Sequence, residues 1–305
     1  MEFELKILGS SSATPSVDRN HTAQVLTIGN QLNLIDCGEG TQMQLMRYKV
    51  KHQRICNIFI SHLHGDHFFG LFGLLSTMHL QNRSAPLTIF GPPGLADILT
   101  TQFKYSNTQF SFKLTFKELD TTAYTKIFED KYITVHTLPM QHRVSCCGFL
   151  FREKPKLRHL VKAKLPDFLI PPQLVRLKYG EDILDDTGGV LVKNEDVTSA
   201  PSHSRSYAFC SDTRYKEDII PYIRHVDLLY HEATFLDDMR ERAEVVYHST
   251  AKQAATLALK AQVKRLLIGH FSVRYKDLNP LLDEAKAVFY NTHLALEGKT
   301  IGILE

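Results

Sequence analysis

Six consecutive residues, His62-Leu63-His64-Gly65-Asp66-His67, hold three histidines and an aspartate. An apolar run at residues 55–60 precedes them, and an apolar, helix-like stretch at 68–80 follows. That order constrains the fold. A strand buried on both faces reads as a continuous apolar run, belongs to a sheet covered by helices, and ends in a loop. A tight loop there can fan its side chains toward neighbouring coordination positions. The bland alternative is a surface loop that happens to be histidine-rich. With fifteen histidines in 305 residues chance can bring two together, but three with an aspartate at a strand end point to a metal.

The rest of the chain repeats short strands, turns and helices. Phe3, Leu5 and Ile7 alternate before Gly9-Ser10-Ser11-Ser12, a strand running into a loop. Residues 22–28 and 31–35, separated by Gly29-Asn30, predict a hairpin. Asp36-Cys37-Gly38-Glu39-Gly40 then turns the chain into a helix ending near Tyr48. Further strands are expected at 87–90, 111–116, 132–138, 147–151, 207–210, 227–230, 263–268 and 300–304. Helices are expected near 216–224 and 250–260, the second opened by a Thr250/Gln253 capping box. Residues 153–186 break the rhythm: they carry Pro155, Pro166, Pro171 and Pro172 and show no clean period, which predicts an arm inserted into one domain spanning 1–305.

Composition excludes several classes. With 43% apolar and 23% charged residues, the chain has material for a core. No run reaches the roughly 20 apolar residues that span a bilayer. Met1-Glu2-Phe3-Glu4 has neither a basic nor an apolar export region, so the expectation is a cytoplasmic protein with no membrane association. Five cysteines, an odd number without a CxxC pair, sit beside strand-like residues and read as small hydrophobes. A net charge of +3 is too weak to announce a polyanion partner. Locally, however, residues 152–178 hold eight Lys/Arg against Glu153 and Asp167.

Three more metal-competent residues follow strand-like runs: His142, Asp212 and His270. Singly, each could be a satisfied core histidine or an N-cap aspartate. Together with the loop at 62–67 they resemble the signature of the metallo-β-lactamase superfamily. That resemblance implies an α/β fold, an αββα sandwich of two mixed β-sheets flanked by helices, with metal at one edge. It also implies that His62, His64 and His142 hold one zinc ion and Asp66, His67 and His270 a second, with Asp212 bridging, so two Zn²⁺ per subunit. Such a centre, carrying a hydroxide, keeps a net positive charge suited to a phosphodiester. Glyoxalase II shares this ligand set, so the ligands alone do not name a substrate.

Other motifs resemble the ribonuclease Z family nearly end to end. These are Gly9-Ser-Ser-Ser-Ala-Thr-Pro15 with Arg19-Asn20, Asp36-Cys-Gly-Glu-Gly-Thr-Gln42, His62 through Gly70-Leu71, His231-Glu-Ala-Thr-Phe235, His248-Ser-Thr250 and His270-Phe-Ser-x-Arg-Tyr275. The resemblance implies a zinc-dependent endoribonuclease, a hydrolase that removes the 3′ trailer of precursor tRNA and leaves a 3′-hydroxyl and a 5′-phosphate. Asp66 would take the attacking water's proton, and His248, held by Glu232, would protonate the departing oxygen. The basic segment 153–186 is similar to the arm by which this family grips tRNA; Lys154, Lys156, Lys162 and Lys164 there, with Arg19 and Arg274, are the candidate RNA contacts. A homodimer is implied, one subunit's arm holding RNA cut by the other. The chain departs from the family at Gln173-Leu174, where a Gly-Pro is usual, and at Val17, where a lysine is common. Two rivals remain: a small-molecule phosphodiesterase or thioesterase of the same fold, and a non-catalytic RNA-binding protein with a structural metal.

Overall fold

In the strand Phe3–Gly9, Phe3, Leu5 and Ile7 enter one apolar cluster and Leu8 enters another. That alternation makes the strand part of a sheet buried on both faces. The structure, a computed structural model, describes residues 2–303; Leu304, the end of the strand expected at 300–304, lies outside the described residues.

Two seven-stranded sheets form the larger of two units, described residues 2–152 with 206–303. The first sheet runs Thr300–Gly302, Phe3–Gly9, Ala23–Ile28, Gln31–Cys37, Ile55–Phe59, Leu87–Gly91, Leu114–Glu118. Its last four strands are parallel, and the hairpin expected around Gly29-Asn30 supplies the first of them, Gln31–Cys37. The second runs Thr292–Leu294, Leu266–Gly269, Leu228–Glu232, Ser206–Cys210, Cys147–Glu153, Ile133–Pro139, Lys126–Glu129. Its first four are likewise parallel.

Between the sheets lies an aromatic-rich core: Phe59 and Phe90 from the first meet Phe149, Phe151, Phe209 and Tyr230 from the second. Helices cover each outer face. Leu71, Leu74, Leu75 and Met78 of Gly70–Leu80 pack on the first sheet with Leu95, Leu99 and Phe103 of Leu95–Tyr105. Ala251, Ala254, Ala255 and Ala258 of Ala251–Lys260 pack on the second with Leu281 and Ala285 of Asn279–Val288. The expected αββα sandwich is the observed fold.

Several local expectations are corrected. The strand expected at 111–116 begins only at Leu114, because Phe110 and Phe112 turn into the outer cluster beneath the helices. The helix expected at 216–224 is a 3₁₀ turn, Glu217–Ile219, and one α turn, Ile220–Ile223; Pro221, lacking an N–H, sits where the second turn starts. The capping box is present: Thr250 Oγ1 accepts from Gln253 N at 3.2 Å, and Thr250 N donates to Gln253 Oε1 at 2.9 Å.

The second unit spans residues 153–205 and so runs past residue 186. It has its own small core of Leu177, Ile183, Val192 and Val197, lined by Leu160, Leu165, Leu169 and Leu174. An eight-residue helix, Pro171–Lys178, forms where no period was expected, its two prolines at the first turn where a missing N–H costs nothing. Arg205 Nη2 meets Glu153 Oε1 at 2.6 Å and joins the unit's two ends.

Candidate metal centre

The strand Ile55–Phe59 delivers the loop at 61–64, and a short helix, Gly65–Phe68, turns Asp66 and His67 back toward it. Gly38 permits this turn. A Cβ there would lie 2.3 Å from the Asp66 carbonyl and 2.5 Å from the His21 Cβ, so only glycine fits. The second sheet contributes His142, Asp212 and His270 from the ends of three strands.

The seven side chains converge into two groups that share Asp212. His62, His64, His142 and Asp212 form one; Asp66, His67, His270 and Asp212 form the other; within each, the donor atoms lie within 4.8 Å of one another. In the first, His64 Nδ1 is 3.1 Å from both His62 Nε2 and His142 Nε2, and Asp212 Oδ2 is 3.7 and 3.9 Å from those two Nε2 atoms. In the second, His67 Nε2 is 3.3 Å from Asp66 Oδ2 and 3.4 Å from Asp212 Oδ1, while His270 Nε2 is 3.5 and 3.2 Å from the same oxygens.

These separations fit metal ligation. A tetrahedral ion with nitrogen ligands at about 2.0–2.1 Å sets its donor atoms about 3.3–3.4 Å apart. Asp66 Oδ2 and Asp212 Oδ1 are buried and make no hydrogen bond among the described residues, a costly state that a cation relieves. Burial holds His62, His64 and His142 below the ordinary histidine range, hence neutral, as ligands must be. Burial opposes charge on His67 too, yet Asp212, Asp66 and Asp36 together raise it, which marks the place as one that attracts positive charge.

Hydrogen bonds fix which nitrogen each ring offers. Buried Asp36 accepts from His67 Nδ1 at 2.7 Å and from Ser61 Oγ at 2.9 Å. With its proton given to Asp36, Ser61 Oγ accepts from His62 Nδ1 at 3.0 Å, so His62 and His67 both turn Nε2 inward. His142 Nδ1 donates to the Tyr247 carbonyl at 3.0 Å. Thr234 Oγ1 donates to Glu232 Oε2 at 2.7 Å and accepts from His270 Nδ1 at 3.0 Å. Asp36, Tyr247 and His270 all have a left-handed backbone, with φ of 54°, 64° and 58°. Sequence reasoning assigned no role to Asp36, Ser61, Thr234 or Tyr247; for Asp36 the signal was its place at a strand end just before Gly38.

Glu232 and His248 stand together as expected, Oε1 and Nδ1 2.8 Å apart. Burial lowers the basicity of His248, but the charge and hydrogen bond of Glu232 outweigh it and push the ring up to about 9. Burial likewise raises Glu232, and His248 overrides it, holding the carboxyl below its usual range. His248 Nδ1 lies 4.0 Å from Asp212 Oδ2, so the pair adjoins the metal residues. Arg19 and Arg274 both meet Ser272, at its carbonyl (3.2 Å) and its hydroxyl (3.3 Å), two residues beyond His270. Lys154, Lys156, Lys162 and Lys164 belong to the second unit.

Two sheets backed by helices, with histidine and aspartate side chains gathered at strand ends, define a metal-binding hydrolase of the metallo-β-lactamase fold. A Bacillus subtilis protein described as having that fold superposes with a TM-score of 0.70 over 99% of this chain and all of its own, at 19% identity. The curated ribonuclease Z of Cytophaga hutchinsonii is 51% identical over 300 residues, 98% of this chain and 96% of its own length. That of Bacteroides fragilis is 45% identical over 303 residues, 99% of both. The chain belongs to the ribonuclease Z family. The crystal structure of human tRNase Z, short form, is similar at a TM-score of 0.73 and 29% identity, covering 99% of this chain and all of the other. Residues 3–158 also match the family model for the anti-Pycsar protein Apyc1; that match stops short of Asp212, Glu232, His248 and His270.

Proposed function

We propose that this endoribonuclease removes the 3′ trailer of precursor tRNA at a centre of two zinc ions, leaving a 3′-hydroxyl on the tRNA and a 5′-phosphate on the trailer. The observation that carries the reading is the Glu232–His248 pair set beside two ligand groups joined by Asp212. His62, His64 and His142 would hold one ion and Asp66, His67 and His270 the other. When bound, the ions would lower the pKa of water and stabilise charge building on the phosphate. Asp66 takes the proton of the attacking water. His248 uses Nδ1 to grip Glu232, which leaves Nε2 to give a proton to the departing 3′-oxygen. A small-molecule hydrolase of this fold has no need of that proton donor.

The segment 153–186, within the second unit, is proposed to grip the RNA through Lys154, Lys156, Lys162 and Lys164, and Arg19 and Arg274 are proposed as further RNA contacts. In a homodimer one subunit's arm would serve the other's centre. No helix among the described residues is long and apolar enough to cross a membrane, and we place the enzyme in the cytoplasm. The test is incubation with a 3′-extended precursor tRNA and chemical analysis of both new ends. A 3′-hydroxyl on the tRNA is the expected result; a 3′-phosphate there, or no cut, ends the assignment.

A further inference from the structure

At the edge where Thr292–Leu294 and Thr300–Gly302 end the two sheets, a cavity of about 490 Å³ opens. Its size falls in the range of small-molecule sites, roughly 300–1,000 Å³. The floor is aliphatic: Leu282 from the helix Asn279–Val288, Leu294, Leu296 and Ile301 offer the surface, with fully buried Leu228 and Leu267 behind them. Leu282 and Lys286, four residues apart, share one helix face, while Leu281 and Ala285 turn to the core. No Phe, Tyr or Trp is among the lining residues, and the one ring there is the imidazole of His293.

The rim is cationic. Arg265, Lys286 and Lys299 line it with His293, and no carboxylate among the described residues does. Arg265 Nη2 donates to the Gly302 carbonyl at 2.6 Å, which ties the start of the strand Leu266–Gly269 to the edge strand Thr300–Gly302 and fixes the guanidinium there. None of the three cations forms an ion pair among the described residues; Lys286 Nζ lies over the Tyr290 ring, 6.0 Å from its centroid. Three like charges around one mouth repel one another, and an anion relieves that. Arg265 precedes the strand Leu266–Gly269 and His270 follows it, so the cavity and the metal centre lie toward opposite ends of the strand.

We propose that this cavity binds an amphipathic anion with a single alkyl chain, of the alkyl-carboxylate class, its chain against Leu282, Leu294, Leu296 and Ile301 and its head on Arg265, Lys286 and Lys299. An aliphatic floor suits methylene groups, whose burial away from water is favourable. A nucleotide base would find no Phe, Tyr or Trp face there, only the single imidazole of His293. The site is separate from the catalytic one and does not depend on the reaction proposed above.

The experiment measures thermal stabilisation and calorimetric binding of decanoate to the full-length, metal-loaded protein. Decanol, acetate and AMP serve as controls that remove the charge, the chain or the aliphatic character. Decanoate should raise the melting temperature in a saturable way, with decanol and acetate far weaker and AMP inert. Leu282→Trp, which fills the cavity, should abolish binding. Lys286→Glu with Lys299→Glu should weaken it by at least about tenfold, or about 1.4 kcal/mol. Both variants should retain precursor-tRNA cleavage, which verifies their fold. The proposal is overturned if decanoate gives no saturable shift, if AMP or decanol matches it, or if the folded Leu282→Trp variant binds as well as the parent.

Discussion

The two sheets use one device for two ends. In the first, buried Asp36 and the Ser61 hydroxyl orient His62 and His67. In the second, buried Glu232 and the Thr234 hydroxyl orient His270 and contact His248. Each is a carboxylate at a strand end, a hydroxyl relay and two imidazoles. The first device turns both rings to the metal residues. The second gives up only His270 and leaves His248 partly exposed, charged and facing outward. A carboxylate behind a histidine thus prepares either a ligand or an acid, and what lies in front of the ring decides which.

The largest expected effect removes the one residue both groups share. Asp212→Ala should lower cleavage by about 10³-fold or more and release metal, since the stabilisation supplied by the ions amounts to several kcal/mol. Elemental analysis alongside single-turnover rates checks this; full metal content with full activity would break the shared-carboxylate picture.

His248→Ala should cost about 10²-fold on precursor tRNA with metal retained, and much less on bis-p-nitrophenyl phosphate, whose leaving group departs unprotonated. Glu232→Gln should act in the same direction, and the double variant should lose less than the product of the two. Loss of metal in His248→Ala would instead make the second device a copy of the first.

Asp36→Asn sharpens the contrast. Asparagine tolerates the left-handed backbone at this position but supplies no charge behind His67. Metal affinity should fall about 10- to 100-fold, with both substrates losing equally and excess zinc restoring both. A leaving-group-dependent loss would refute the division of labour.

The pH profile follows from His248. An acid raised to about 9 is protonated below that value and loses its proton above it. Cleavage of precursor tRNA should therefore fall above about pH 9, and in Glu232→Gln the falling limb should move to lower pH. An unmoved limb would assign it to another group.

The smallest effect on chemistry should come from the second unit. Deleting residues 160–170 should reduce precursor-tRNA cleavage by roughly tenfold through lost phosphate contacts and leave the nitrophenyl ester alone. Equal losses on both substrates would mean that the segment supports the fold.

What the sequence disclosed follows chain proximity. His62 to His67 are contiguous, and the Thr250/Gln253 box and the Gly29-Asn30 hairpin are local, so spacing alone exposes them. His142, Asp212 and His270 were legible because each ends an apolar run. Asp36 works on a histidine 31 residues away, and Thr234 on one 36 residues away; such partners acquire meaning only once strands are paired. The helix Leu95–Tyr105 was missed although Leu95, Leu99 and Phe103 recur every fourth residue, since its exposed face interrupts the apolar pattern. The small core of residues 153–205 joins leucines and valines spread from Leu160 to Val197, too sparse to show a period.

The left-handed backbone at Asp36, Tyr247 and His270 bears on how this enzyme can change over time. Tyr247, neither glycine nor a short polar residue, carries a conformational cost of about 1–2 kcal/mol, and Asp36 and His270 carry a smaller one. Mutations that relax those positions would raise the melting temperature of the metal-free chain while dismantling its centre. A selection for robustness alone would therefore drift toward an inert protein, while a demand for catalysis holds these three positions where they are.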